Sequence, residues 1–400
     1  MTTVEVAEDF AQDAHLFAEL LRAGGPVRRA RMPRGLDCYI VTDFAQARAL
    51  LADARLQKDN RRAHELFEAK LPAGATTQGG FGEALGHHML NTDPPDHSRL
   101  RKLVNKAFTG RTVARLRPRI EEITAELLDG LAGQERADLL PSFAAPLPIT
   151  VICELLGVRA DDRTEFAAWS KTLLSASEPA DAQAAAQNMF GYLTGLIAQK
   201  RAEPAEDLLS DLVHASDDGD SLSEPELVSM AFLLLVAGHE TTVNLIANSV
   251  LALLREPEQA ALLRADPALL PGAVEEFLRF DGPIHLATLR FTAEPVEAGG
   301  VTIPEGEFVL ISLLGANRDE ARFAEPDRLD VTRAAGGHLA FGHGIHYCVG
   351  APLARLEAEI ALAGLLARFP DLALDTKPDE LVYRPSSLVH GLESLPVRLR

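Results

Sequence analysis

Apolar residues recur at helical spacing from Phe10 to Arg22. From Val27 to Met32 and from Cys38 to Thr42 the pattern becomes that of strands, with Pro33-Arg34-Gly35 as the turn between them. Phe44 to Leu51 reads as a short helix. Leu71 to Gly82 is rich in glycine and threonine and has no stable period; loops of this length in folded domains are usually functional or disordered. Helical periods fill Thr112 to Leu131, Leu147 to Leu156, Asp161 to Leu174 and Ala184 to Lys200, and Asp217-Asp218-Gly219-Asp220 is a solvated turn.

Ser223-Glu224-Pro225-Glu226 has capping-box spacing and opens a long helix that runs to about Leu254. Its continuous apolar stretch predicts burial on all sides. Gly238, Glu240, Thr241 and Thr242 interrupt it, and buried polar groups are costly unless partnered. Ala273 to Phe280 is a further short helix. Strands are then predicted over Leu286 to Phe291, Val296 to Gly299, Val301 to Ile303 and Phe308 to Leu313. A helix follows Cys348 as far as Phe369, and Leu381 to Leu399 is strand-like. No repeat, low-complexity tail or linker divides the chain. The expectation is one domain over residues 1–400, mainly α with small β-sheets.

Composition narrows the function. Lys plus Arg is 39 and Asp plus Glu is 58, a formal charge of −19. That excess of acid disfavours nucleic acid and anionic membranes as general partners. No run of consecutive apolar residues reaches bilayer-spanning length; the longest is Ala231 to Ala237. The acidic N-terminus lacks a signal-peptide pattern, and three widely spaced cysteines are no disulfide framework, so a reducing cytoplasm is expected. Cys153 lies in an apolar helical run and reads as a small buried hydrophobe, and Cys38 falls in a strand.

Cys348 is different. It ends Phe341-Gly342-His343-Gly344-Ile345-His346-Tyr347-Cys348-Val349-Gly350, where glycines allow backbone conformations that a Cβ forbids. A helical pattern begins directly after it. Free N–H groups and the positive end of the helix dipole favour thiolate over thiol. Such a presented thiolate can serve as a nucleophile, a zinc ligand or an iron ligand.

The decapeptide resembles the haem-binding loop of the cytochrome P-450 family, Phe-Gly-x-Gly-x-His-x-Cys-x-Gly, at every fixed position. The resemblance implies a triangular helical prism with haem b between a central helix and the cysteine loop, and Cys348 as the iron's thiolate ligand, which favours O–O cleavage. Phe341, Gly342, His346 and Gly350 would line the haem. Three other motifs stand in the family's order. Ala237-Gly238-His239-Glu240-Thr241 resembles the central-helix motif: Ala237 and Gly238 would pass close over the haem, and Glu240 and Thr241 would relay protons, Glu240 by turning toward water. His97 and Arg101, four apart on a helix that two prolines open, can offer donors to one carboxylate, and the resemblance makes that a haem propionate. Arg290 and His338 match further propionate donors. Glu276, Arg279 and Arg333 match a structural ion network. Asn317-Arg318-Asp319 also matches, although Glu320 stands where proline is usual.

The implied function is insertion of one oxygen atom from O2 into a C–H bond, or a double bond, of a bulky lipophilic molecule. Electrons would come from NAD(P)H through a ferredoxin reductase and a small acidic ferredoxin, docking near Arg99, Lys102, Lys106 and Arg355. The chain most resembles soluble actinobacterial enzymes of macrolide and polyketide tailoring, with steroid-like substrates among their relatives. The stretch 71–82 would lie over the substrate. Met89, Leu90, Val236, Ala237, Ile284, His285, Leu286, Ala287, Leu388 and Val389 would line a large apolar pocket. A monomer is expected. Two rivals stand beside this reading. One is a metal or haem binder without catalysis. Its zinc version, on His343, His346 and Cys348, lacks a fourth ligand at finger-like spacing. The other is a peroxide-using relative, against which the acid–alcohol pair argues.

Overall fold

Glu224–Arg255, 32 residues, is the spine of the chain. Its start carries one half of the expected capping box: the Ser223 N–H donates to the Glu226 carboxylate at 2.8 Å, and the Ser223 hydroxyl donates to the same oxygen at 2.9 Å. It ends where Pro257 opens the next helix, Pro257–Ala265. By length and composition this helix could cross a membrane, a property the run of consecutive apolar residues did not reveal. However, 83% of its most apolar window is buried inside the protein, so it is a core helix. The computed structural model describes residues 2–70, 83–174, 179–217 and 220–400; the substrate-covering loop expected at 71–82 lies outside them.

The chain contains two compact units. The first comprises Met1–Leu56, Leu116–Pro148 and Glu240–Arg400; the second comprises Gln57–Arg115 and Ile149–His239. The spine helix therefore contributes to both.

The first unit contains a sheet in which Val4–Glu5, Val27–Arg31, Asp37–Val41, Phe308–Ile311 and Arg290–Thr292 follow one another in space. The predicted hairpin pairs Val27 with Val41. Asp37–Val41 then runs parallel to Phe308–Ile311, more than 260 residues on in sequence. Val41, Val309 and Ile311 pack in one core with Phe44, Leu50 and Leu51 of helix Phe44–Leu51, whose first turn is capped by Asp43. The strand expected to continue to Leu313 stops at Ile311. The Ser312 hydroxyl accepts from the Gly315 N–H and turns the chain into helix Leu313–Asn317. The strand-like C-terminus is mostly irregular. Its only regular strand is Pro396–Arg398, which pairs with Ala373–Leu374 and Arg136–Asp138. Helix Ala351–Arg368 packs on Arg117–Leu131 and on Leu270–Asp281. Gly364 permits the first crossing, since a Cβ there would stand 3.0 Å from Leu128 and Thr124.

The second unit is helical. It includes Asn60–Lys70, Asp96–Ala107, Arg163–Leu174 and Pro179–Ala202. The two prolines expected inside a helix start lie just before it: Asp96–Ala107 begins after Pro95, and the Pro94–Pro95 bond is cis. Here too a glycine sets a helix contact, because a Cβ on Gly238 would meet Ile152 at 2.8 Å.

Candidate active site

The cysteine loop is closed by its own backbone. The Cys348 N–H donates to the Phe341 carbonyl at 3.0 Å, and the Tyr347 N–H to Gly344 at 3.1 Å. Gly342 and Gly344 have φ of +73° and +76°. At Gly344 a Cβ would also lie 2.9 Å from Ala52 Cα and the Leu51 carbonyl, so a larger residue would both strain the turn and push it off helix Phe44–Leu51. His346 ends the short turn Gly344–His346 and is half-buried. Gly350 caps helix Ala351–Arg368, with Pro352 in its first turn.

Of the three cysteines only Cys348 is exposed. Cys38 and Cys153 are buried, and burial pushes both thiols up to about 12, which makes them inert. The accessible thiol is the one set just before a helix start.

Behind the loop stands an ion cluster on the Phe341 ring. The Arg355 guanidinium lies 4.5 Å from the ring centroid and grips Glu275 with two bonds, 2.6 and 3.0 Å. His338 Nε2 approaches the same carboxylate at 3.3 Å. Burial alone would raise the Glu275 carboxyl; the bonds from His338 and Arg355 outweigh it and hold the group down at about 2. His338 and Arg355 thus share the Glu275 carboxylate in this structure.

Glu276, Arg279 and Arg333 form one network. Arg279 donates twice to Glu276, at 2.7 and 2.9 Å, and Arg333 Nε donates to it at 3.1 Å. Arg279 and Glu276 are completely buried, and Arg279 also reaches the carbonyls of Asn317 and Pro326. The neighbouring Asn-Arg-Asp triplet is used residue by residue. Asn317 accepts from the Leu339 N–H, Arg318 donates to the Phe280 carbonyl, and Asp319 accepts from the Phe44 N–H. Arg290 is buried and donates to Thr288 at 2.8 Å.

The spine helix is buried from Glu226 to Val236 and from Thr242 to Leu253. Between them Ala237 is exposed, and Gly238 and Thr241 are half-exposed. Small residues and one hydroxyl thus form an accessible window in an otherwise covered helix. Glu240 points elsewhere. Its carboxylate accepts from Arg384 at 2.9 Å and is buried, so the expected turn toward water is replaced by an ion pair. Asn244 and Asn248 continue a polar line at four-residue spacing: Asn244 Nδ2 donates to the Glu240 carbonyl, and Asn248 Nδ2 to the carbonyls of Asp281 and His390. Sequence reasoning missed Arg384, Asn244 and Asn248. The period of the asparagines in an apolar helix was a signal for two of them; nothing local marked Arg384.

The expected pocket residues divide. In the first unit Ala287 belongs to the core beneath the sheet, and Ile284, half-buried, packs against it. Leu286 is buried and bridges Ser312. The His285 ring is bonded to the Ser386 carbonyl at 2.7 Å, and burial first, then the charge of His390, lowers its pKa to about 4. It is a neutral tether for the backbone. Leu388 is half-buried, and Val389 is buried and bridges Ile284. In the second unit Met89 and Val236 are buried and Leu90 half-buried. A surface cavity of about 490 Å³ belongs to another place altogether, between helices Arg117–Leu131 and Ala351–Arg368.

Also in the second unit, His97 is buried on helix Asp96–Ala107, with Arg101 one turn on. Burial lowers the His97 pKa, and the charges of Arg101 and Lys58 lower it further. A neutral imidazole beside an arginine suits a carboxylate ligand, with Arg101 supplying charge and His97 a donor. Arg99 is not a free surface cation: it pairs with Glu226 and, at 3.6 Å, with Asp220. Lys102 and Lys106 are exposed.

Comparison with known proteins decides what this arrangement is. The family model "Cytochrome P450" matches residues 60–390. The chain belongs to the cytochrome P450 family. It is 55% identical to cytochrome P450 107B1 of Saccharopolyspora erythraea, over 100% of this chain and 99% of that protein. It is 51% identical to the vitamin D(3) 25-hydroxylase of Pseudonocardia autotrophica, over 98% of this chain and 94% of that one. The solved structure of the P450 monooxygenase TamI with tirandamycin C superposes with a TM-score of 0.92 at 50% identity, covering 99% and 100% of the two chains. The P450 fold, mainly helical with small sheets, is therefore established, and the protein is a haem-thiolate monooxygenase. The accessible Cys348, set just before a helix start, fits that P450 cofactor.

Proposed function

We propose that this P450 hydroxylates, or epoxidises, a bulky lipophilic polyketide, macrolide or steroid-like molecule of secondary metabolism. What carries the substrate reading is identity of 50% or more, over nearly the whole chain, to two proteins named for such molecules, tirandamycin C and vitamin D(3).

The residues divide the labour as follows. Cys348 is the thiolate that holds the haem, and His97, Arg101 and Arg290 answer its carboxylates. His338 joins them only by leaving Glu275, which gives it a weaker claim. When bound, the haem supplies the activation of dioxygen. Thr241, whose hydroxyl both donates and accepts, hands protons into the pocket, and Glu240 feeds it. Leu388, Val389, Met89, Leu90 and Val236 contact the substrate. The chain is proposed to act as one haem domain, a reading supported by a family match that runs through both units. The protein works as a monomer in the cytoplasm and takes electrons from NAD(P)H through a reductase and a small acidic ferredoxin. Arg99, Lys102, Lys106 and Arg355 are the cations on the segments proposed for that encounter. Reduction should slow as salt rises, since steering of exposed charges is screened within about 10 Å at 0.1 M.

A panel of 6-deoxyerythronolide B, vitamin D(3), testosterone and small polar controls tests the substrate class. Spin-state shifts of the ferric protein with the bulky lipophiles alone support it. Shifts with only the polar controls would sink it. Product formed with hydrogen peroxide as efficiently as with the electron-transfer chain would favour the peroxide-using alternative.

A further inference from the structure

We propose that His15, Asp281 and His390 form a structural zinc site that ties the N-terminal helix to the C-terminal segment. All three belong to the first unit, and none of them lies in the motifs assigned above to haem or dioxygen.

Their ligand atoms already converge. His15 Nε2 stands 2.7 Å and His390 Nε2 2.9 Å from the same oxygen, Asp281 Oδ1, and all three atoms lie within 4.8 Å of one another. Zinc binds imidazole nitrogen and carboxylate oxygen at about 2.0–2.2 Å, so tetrahedral ligands stand about 3.3 Å apart. The imidazoles need to withdraw from the carboxylate by only about half an ångström to admit the ion. The backbones are held for it. Asp281 ends helix Leu270–Asp281, and its carbonyl accepts from Asn248 Nδ2 at 3.2 Å; the same amide holds the His390 carbonyl at 3.1 Å. The His390 N–H donates to the Pro283 carbonyl at 2.8 Å. His15 lies in the first turn of helix Ala14–Ala23, which Arg22 anchors by donating to the carbonyls of Gly315 and Arg318 at 2.7 and 3.0 Å.

Hydrogen bonds alone match this group imperfectly. His15 Nε2 also lies 3.4 Å from Arg318 Nη2, and one ring nitrogen cannot donate to Asp281 and accept from Arg318 at once. His15 Nδ1 is buried and meets no partner among the described residues, so no bond on that side fixes the tautomer and Nε2 can take a metal. Arg318 is the charge that opposes a cation here. Its guanidinium is engaged elsewhere, with the Phe280 carbonyl at 2.8 and 3.0 Å and with Asp327 at 3.1 Å, so the contact with His15 is its loosest and is the one that yields. Enclosure selects the ion. The Tyr383 ring stacks on His390 with centroids 4.7 Å apart, and His285 is drawn off to the Ser386 carbonyl. Asp281 and His390 are buried, and only His15, 27% exposed in its side chain, opens to solvent. A single further position, filled by water from the His15 side, suits four-coordinate zinc better than six-coordinate iron(II) or magnesium. Bound zinc joins residues far apart in sequence, the arrangement in which a metal clip restricts the unfolded chain most.

Haem-loaded protein without an affinity tag, stripped with EDTA and titrated with buffered zinc chloride, tests this. Wild type should retain one zinc per chain through gel filtration. Its zinc X-ray absorption spectrum should show two imidazoles at about 2.0 Å and no sulfur. His15→Ala and His390→Gln should each weaken binding by at least the about 10–100-fold that loss of a ligand's outer hydrogen-bond partner costs. His64→Ala, an exposed histidine on helix Asn60–Lys70, should bind zinc as wild type does. Zinc should raise the thermal midpoint of wild type and leave that of His15→Ala unmoved. The Soret spectrum checks that each variant keeps its haem; should the histidine variants fail to fold, the absorption spectrum of wild type still decides. Zinc lost on gel filtration, coordination through sulfur, or retention by His15→Ala equal to wild type, which would mark the ion as adventitious only, overturns the inference.

Discussion

Arg384 lies 144 residues beyond Glu240 in sequence and 2.9 Å from it in space. The acid of the acid–alcohol pair is therefore held by a charge that no local motif announces, while the alcohol, Thr241, lies in the accessible window of the same helix. Two turns of the same helix reach the C-terminal segment, through Glu240 to Arg384 and through Asn248 to the His390 carbonyl.

Removing the alcohol should uncouple the enzyme. Thr241→Ala takes away a group that both donates and accepts, without opening a cavity in the core. Haem content, the spin-state shift and the first reduction should stay near wild type. NADH should be consumed with hydrogen peroxide as the main outcome. Product yield per NADH measures this, and an unchanged yield would falsify the role of Thr241.

Cys348→Ser should fold and lose the thiolate signature. The side chain is exposed, so its replacement costs little packing. The serine hydroxyl ionises far less readily than a thiol at a helix start. The reduced carbon monoxide complex of wild type should show the red-shifted Soret band of thiolate ligation, and the variant should lack it. A retained band would move the ligand to another residue.

Glu275 should give stability that acid removes. Its folded pKa, about 2, lies below the ordinary value of 4.5. The bonds to Arg355 and His338 therefore contribute fully above pH 4.5 and fade as pH falls toward 2. The contribution is at most about 3 kcal/mol, since each unit is worth about 1.4 kcal/mol. Urea midpoints should separate wild type from Glu275→Gln at neutral pH, and the gap should close between about pH 5 and pH 2. A gap that is constant across this range would remove the ion cluster as its cause.

Arg279→Met should be among the most damaging changes outside the pocket. It leaves Glu276, fully buried, with only Arg333 and the Asp330 N–H as donors and strips donors from the Asn317 and Pro326 carbonyls. Breaking a buried pair from one side costs about 3–5 kcal/mol. Loss of soluble, haem-loaded protein or a large fall in thermal midpoint is expected, whereas Arg328→Ala, an exposed pair with Glu325 and Asp330, should be near neutral. Equal midpoints for the two variants would contradict this.

What was legible in the sequence was whatever short range decides. The cysteine loop, the helix after it, the capped spine helix and the Val27–Val41 hairpin all depend on neighbours a few residues apart, where glycine conformations, caps and hydrophobic period act. The ends of elements were less legible. The Ser312 cap stopped a strand whose apolar pattern ran on, because a side-chain hydrogen bond to a nearby N–H outweighs the tendency of the next two leucines.

By itself the sequence determined that a thiol is presented before a helix, that an acid and an alcohol interrupt a buried apolar helix, and that the order of motifs is that of the P450 family. Only the tertiary structure decided where the charges go. Arg384 goes to Glu240, Arg355 to Glu275, Arg99 to Glu226, and His285 to a backbone carbonyl. Helical period and turn chemistry act within a few residues and are written locally. A charge drawn out of water must find its partner wherever the fold brings one, and that partner can be 144 residues away.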